Sequence, residues 1–275
     1  MDEVYSTLTE RALNLINSKS NKNGKRKRKR IIVSLSGPPG SGKSTIAARV
    51  VARLNAHSHS HSHGSQSQAQ DRNQEPHGLA NAIAIAIPMD GFHYPKRYLD
   101  ALPNRDEAYA RRGAHWTFDA EGVLGLIREL RLATSATAST SASASAPPDR
   151  DTDTDTDINT SRTIYAPGFD HAIGDPIADA NCIPPETSFI IVEGNYLSFD
   201  LAPWDGVREL VDESWFVDVE PEVAKRRIAR RHVESGIEGD YEAASRRAVG
   251  NDLPNGVVIR ERRRGADVTV FSVDE

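Results

Sequence analysis

Eight consecutive residues carry the sharpest chemical signal in this chain. Gly37-Pro38-Pro39-Gly40-Ser41-Gly42-Lys43-Ser44 fits the spacing G-x-x-x-x-G-K-[ST] at every fixed position. Such a glycine-rich loop lets successive backbone N–H groups turn inward and form a nest for phosphate oxygens. The helix that follows adds the positive end of its dipole. In this pattern Lys43 would bridge the β- and γ-phosphates of a nucleoside triphosphate, and the Ser44 hydroxyl would ligate Mg²⁺. Gly37, Gly40, Ser41, Gly42, Lys43, Ser44 and Thr45 are therefore the expected nucleotide contacts. The apolar run Ile31 to Leu35 before the loop and the helical pattern after it supply the context that the motif requires.

Two acids stand where such a site needs them. Pro88-Met89-Asp90-Gly91-Phe92-His93-Tyr94 follows an apolar segment, and Phe189-Ile190-Ile191-Val192-Glu193-Gly194-Asn195-Tyr196 closes another. Ligands of open α/β sheets sit beyond the carboxyl ends of the strands, which is where both acids fall. Asp90 could take a proton from an attacking hydroxyl while facing the γ-phosphate. Glu193 could hold Mg²⁺ directly or through its water shell. Each also has a plainer reading, as a turn cap beside Gly91 and as a solvated strand-end acid. Arg226, Arg227, Arg230 and Arg231 lie on one predicted helix, and the last three are spaced to project from one side. They could clamp a transferring phosphoryl group or form an ordinary solvated basic face.

The elements that must position these residues alternate between strand and helix. Strands are predicted at Ile31 to Ser36, Ala82 to Pro88, Ser188 to Val192 and Trp215 to Val219, with short closing strands at Gly256 to Ile259 and Asp267 to Phe271. Helices are predicted at Ser44 to Leu54, Phe118 to Leu132, Pro221 to Glu234 and Tyr241 to Val249. The alternation implies an α/β fold, a parallel sheet covered on both faces. Tyr5, Leu8, Ala12, Leu15 and Ile16 share one face of an N-terminal amphipathic helix, and residues 1–24 read as that helix and its linker. Residues 25–275 read as one domain with two low-complexity insertions. One, at about 57–78, opens with alternating His and Ser, and the other, at about 133–160, consists of Ser/Ala/Thr and then Asp-Thr repeats.

Composition narrows the function classes. Net charge is −5, which argues against a global nucleic-acid-binding field despite the run Lys25 to Arg30. That run is expected to stay solvated as a lead-in to the first strand, and its other reading is a nuclear-targeting patch. Cys182 is the single cysteine, so no intramolecular disulfide forms. No apolar run approaches the roughly 20 residues of a spanning helix, and no secretory leader is evident. The expected setting is cytoplasmic, with no membrane partner; the sequence leaves the oligomeric state open.

These motifs together resemble the uridine kinase/phosphoribulokinase/pantothenate kinase superfamily of P-loop kinases. The resemblance runs in family order through Ser36 to Thr45, Pro88 to Tyr94, Arg111 to Asp119, Tyr165 to Pro176, Ile191 to Leu197, Asp212 to Val219 and Arg227 to Gly236, and then Asn251 to Gly256. It implies a P-loop NTPase three-layer sandwich with a small helical lid, and ATP with Mg²⁺ as the nucleotide. It implies Asp90 and Lys43 as catalytic groups, with Arg227, Arg230 and Arg231 on a lid that closes over ATP. It also implies acceptor contacts from His93, Tyr94, Arg112, Asp119, Tyr165 and His171. The acceptor would be a small molecule with a hydroxyl group: a nucleoside, a vitamin precursor, a sugar or a hydroxy acid. Two other classes compete. A nucleotide-driven conformational switch would release phosphate without any acceptor. A nucleic-acid-associated protein would bind through Lys25 to Arg30 with steep salt dependence.

Overall fold

Alternation of apolar side chains along short runs decides the architecture. In Ile31–Ser36, residues Ile31, Val33 and Leu35 pack to one side of the sheet and Ile32 to the other, all buried. Phe189–Gly194 divides the same way, with Phe189 and Ile191 opposed to Ile190 and Val192. Strands buried on both faces need a helical layer on each side, and a parallel sheet meets that demand. The computed structural model of the protein describes residues 1–20, 28–62, 83–135 and 162–274.

Nine strands and nine α-helices occur among the described residues. The strands are β1 (Arg28–Lys29), β2 (Ile31–Ser36), β3 (Ala84–Pro88), β4 (Thr134–Ser135), β5 (Ile164–Asp170), β6 (Asp175–Ile183), β7 (Phe189–Gly194), β8 (Glu213–Val219) and β9 (Val268–Ser272). The helices are α1 (Asp2–Ser20), α2 (Lys43–Ser62), α3 (Lys96–Asp100), α4 (Arg105–Ala110), α5 (Ala120–Leu132), α6 (Val207–Leu210), α7 (Pro221–Glu234), α8 (Tyr241–Arg247) and α9 (Leu253–Glu261). Strands β3, β7, β2, β8 and β9, in that order, form a five-stranded sheet in which every pair is parallel. The expected parallel α/β sandwich is thus the fold. Helices α1 and α2 cover one face, where Tyr5, Leu8 and Ala12 meet Ile46, Val50, Leu54 and Trp215. On the other face α5 buries Val123, Leu124, Leu126, Ile127 and Leu130, each contributing about 1.5–3 kcal/mol. Asp119 caps α5, its carboxylate accepting from the Gly122 N–H at 2.9 Å.

Several expectations are revised. Residues Gly256 to Ile259 are not a strand. They lie inside α9, which follows a π-helical turn at Ala248–Asp252 and has Pro254 in its first turn. Strands β5 and β6 were not anticipated; they pair antiparallel as a hairpin. Helix α2 runs on to Ser62, past the His57 start expected for the first insertion, and β4 reaches into the second to pair with β1. The remainder of both insertions, and Lys25 to Lys27 of the basic run, lie outside the described residues. Arg30 does not stay solvated. It is 1 % exposed and donates to the carbonyls of Thr187 and Pro184 at 3.2 and 3.1 Å. No helix among the described residues is long and apolar enough to cross a membrane.

Candidate active site

Sheet register brings the three motifs to one edge. Pro88, Glu193 and Leu35 form a row across β3, β7 and β2. Adjacent strands lie roughly 4.8 Å apart, so the exit of β3 stands about 10 Å from the exit of β2, with Glu193 between them. The chain leaves β2 into the glycine-rich loop and leaves β3 into a 3₁₀ turn, Met89–Phe92, that carries Asp90.

The loop is built for close approach. Gly40 has φ of 76°, and a Cβ there would stand 2.8 Å from the Ala224 carbonyl oxygen and 3.1 Å from Ile228 Cγ1. The crest of the loop therefore rests directly on α7, and any side chain would force the two apart. Lys43 is buried, and its Nζ donates to the Pro38 carbonyl at 2.9 Å and lies 3.5 Å from Ser41 Oγ. Burial pushes its amine down to about 8, an effect that the carboxylates of Glu193 and Asp90 oppose. Ser44 Oγ donates to Glu193 Oε1 at 2.8 Å. Glu193 is itself buried, and desolvation raises its pKa above the usual carboxylate range against the pull of Lys43.

Across the gap, the Asp90 turn is clamped by the β5–β6 hairpin. A Cβ on Gly91 would lie 2.1 Å from the Pro167 carbonyl oxygen, so only glycine permits this seat. His93 Nδ1 donates to the Asp90 carbonyl at 2.8 Å, which fixes the proton on that nitrogen. Burial holds the imidazole below its usual value and hence neutral. Its ring packs between Phe118 and Phe169, with centroids 3.9 and 4.7 Å away.

A cleft of about 750 Å³ joins these walls. Of the expected residues, Gly40, Gly42, Lys43, Ser44, Thr45, Asp90, His93, Arg112, His171, Glu193, Arg227 and Arg231 all line it. Gly37 and Ser41 are buried members of the loop that do not line the cleft. Arg230 lines a smaller neighbouring cleft of about 400 Å³ with Tyr5, Arg226 and Asp274; Arg227 borders both clefts, so it is Arg230 and Arg231 that face different ones. Tyr94 stacks on Tyr98, Tyr165 is 54 % exposed, and Asp119 is spent as a helix cap; none of them lines the cleft. Arg227 reaches the cleft with its donors engaged, at 3.2 Å to the Gly40 carbonyl, 2.8 Å to Ser272 Oγ and 2.7 Å to the Val273 carbonyl. Arg231, one turn on, lines the cleft with no such anchor among the described residues.

Sequence reasoning missed Lys96, Tyr109, Asn195, Asn251, Asp252 and Asn255, which also line the cleft. Asn251 and Asp252 come from the π-helical turn, a local geometry often found at functional sites. The run Asn251 to Asn255 was already part of the family resemblance, but nothing in its residue types said that it faced the loop.

The donor set suits a triphosphate with a hard divalent cation. The glycine-rich loop is of the kind that nests phosphates and it carries a buried amine, while Ser44 Oγ and the Glu193 carboxylate provide adjoining oxygen ligands. Chemically, the arrangement can hold a γ-phosphate beside Lys43 with a carboxylate, Asp90, on the far side.

Comparison with known proteins agrees. A family model described as Nephrocystin 3, N-terminal, matches residues 13–129, the part holding the loop. A Schizosaccharomyces pombe protein provisionally named a uridine kinase is 32 % identical over 266 residues, spanning 97 % of this chain and 89 % of that one. An ATP-dependent kinase-like protein of Aspergillus versicolor is 41 % identical over 167 residues, or 61 % of this chain and 84 % of its own. Among solved structures, one from Silicibacter, provisionally named a fructose transport system kinase, has 29 % identity and a TM-score of 0.66, covering 96 % of this chain and 98 % of that one. YFH7 of Saccharomyces cerevisiae, provisionally described as a P-loop kinase with a circular permutation, shares the fold at a TM-score of 0.75 and 23 % identity, covering 98 % of this chain and 99 % of that one. This chain belongs to the uridine kinase/phosphoribulokinase/pantothenate kinase superfamily of P-loop kinases and is a small-molecule kinase within it.

Proposed function

We propose that the protein moves the γ-phosphate of ATP onto a hydroxyl group of a small metabolite, with Asp90 as the general base. The observation that carries this reading is the row Pro88–Glu193–Leu35, which sets Asp90 and the glycine-rich loop on opposite sides of Glu193. In the step, the acceptor oxygen bonds to the γ-phosphorus as the bond to the bridging oxygen of ADP breaks, and the hydroxyl proton passes to Asp90. Lys43 steadies the negative charge on the transferring group, and Arg231 is placed to do the same from α7. Ser44 and Glu193 are the residues that would hold Mg²⁺, which when bound supplies charge neutralisation at the phosphate oxygens. His93, neutral and wedged between two phenyl rings, gives Asp90 an uncharged neighbour on the acceptor side of the cleft.

A coupled ADP-release screen over nucleosides, sugars, vitamin precursors and hydroxy acids tests the proposal. A kinase produces ADP slowly until its acceptor is added. Equal ADP release with and without every acceptor would instead favour a conformational switch.

A further inference from the structure

Away from the glycine-rich loop, the cleft is walled by groups from three separate elements. Lys96 opens α3, Arg112 follows α4, and His171 sits at the tip of the β5–β6 hairpin. Contacts link them back to Asp90. The ring of Phe169 lies 4.7 Å from that of His93 and 5.2 Å from that of His171, and the Arg112 guanidinium stands 5.8 Å over its face. Lys96 Nζ lies against the hairpin turn, donating to the Ile173 carbonyl.

Counter-charge at this end is scarce. Among the described residues, the acids that line the cleft are Asp90, Glu193 and Asp252. The first two belong to the transfer centre, and Asp252 lies among His232, Arg231 and Arg247 on the helical side. Asp175 is the carboxylate in reach of Arg112, at 3.3 Å, and it also accepts from the Lys96 backbone N–H at 2.8 Å. Asp170 accepts from the Ala172 and Ile173 N–H groups of the turn. Arg112 makes both its polar contacts, to Tyr94 O and Asp175, through the same terminal nitrogen, while its Nε is buried without a partner. A guanidinium with donors to spare beside an ammonium group and an imidazole is a setting for an anion, and an aromatic floor keeps it partly dry.

We infer that the acceptor carries an oxyanion, a carboxylate or a phosphate ester, which Arg112, Lys96 and His171 hold while its hydroxyl meets Asp90. The inference deepens the proposed kinase reading and rests on it. A neutral nucleoside or sugar would add no negative charge here beyond Asp175, which Arg112 already meets, so these residues favour an anionic acceptor.

The test fills the nucleotide site with Mg²⁺ and the β,γ-methylene analogue of ATP and titrates matched pairs by calorimetry. D-glycerate is set against glycerol and ribose 5-phosphate against ribose, with uridine as a neutral nucleoside. The charged member of one pair should bind about tenfold or more tightly than its neutral partner, the yield of a charge-assisted contact. Which pair responds tells carboxylate from phosphate. Arg112→Gln should erase most of that preference. Lys96→Gln, at an exposed position, should reduce it without moving the unfolding midpoint. The inference is overturned if neutral members bind as tightly, if no charged compound binds, or if the preference survives both substitutions. The analogue titrated alone reports separately on the kinase reading. Magnesium-dependent nucleotide binding with no charge preference defeats only the inference, whereas absent nucleotide binding defeats the reading beneath it.

Discussion

Nucleotide affinity should turn with pH through Lys43, and the structure sets where. The amine is buried, and desolvation brings it from an ordinary 10.5 down to about 8. A depressed cationic pKa means that the proton is held below about pH 8 and lost above it. A triphosphate binds the charged form. Affinity should therefore be level below about pH 8 and fall about tenfold per unit above it, until the higher pKa of the bound state takes over. An exposed lysine would postpone that fall by about 2.5 units, the difference between 10.5 and 8. The same burial costs the ligand-free fold about 3 kcal/mol below pH 8, at roughly 1.4 kcal/mol per unit. That cost disappears as pH rises from 8 towards 10.5. Fluorescence titration of Mg²⁺ and an ATP analogue from about pH 6.5 to about 9.5 would follow the affinity branch. Lys43→Met, with no proton to lose, should bind weakly and show no slope. Flat affinity in the wild type across that range, or an equal slope in Lys43→Met, would refute the reasoning.

Two further outcomes follow from the neighbours of Lys43. Glu193→Gln keeps a partner for Ser44 but loses the charge, so the Mg²⁺ concentration for half-maximal turnover should rise about 10-fold or more. Because burial raises the Glu193 pKa, the wild-type requirement for Mg²⁺ should ease as pH climbs through that raised value, while the glutamine variant stays flat. The two cleft arginines of α7 should separate by assay. Arg231→Ala should lower turnover about 10- to 1000-fold with little change in urea unfolding. Arg227→Ala, which strips anchors from Gly40, Ser272 and Val273, should lower unfolding stability by about 1–3 kcal/mol.

The loop, Asp90 and Glu193 were legible in the sequence because each depends on a local pattern: a motif entered from an apolar strand, or an acid at a strand's end. What local pattern does not encode is strand order. Only the register of β3, β7 and β2 makes neighbours of residues separated by more than a hundred positions. Misreadings have similar causes. Gly256-Val257-Val258-Ile259 looks like a strand by its β-branched run, yet it continues a helix whose buried side holds Asn255, Gly256 and Ile259. In β6, Asp, Ala and Asn conceal a strand held by pairing with β5 while most of its side chains face solvent. Arg30 belongs to a run of charges, but it lies buried at the entrance of β2, and carbonyls from the β6–β7 connection accept from its Nε and one terminal nitrogen. Arg230 and Arg231 line different clefts, and Arg227, held by Ser272 and Val273, borders both, a tertiary arrangement that the spacing of the arginines does not show.

The account stands most directly on Asp90. Single-turnover transfer from ATP to an acceptor found by the ADP-release screen, compared between wild type and Asp90→Asn, separates chemistry from binding. The account predicts unchanged affinity for Mg²⁺ and ATP and a transfer rate reduced by about 100-fold or more, the scale of losing a general base. Transfer at the wild-type rate in Asp90→Asn would contradict it.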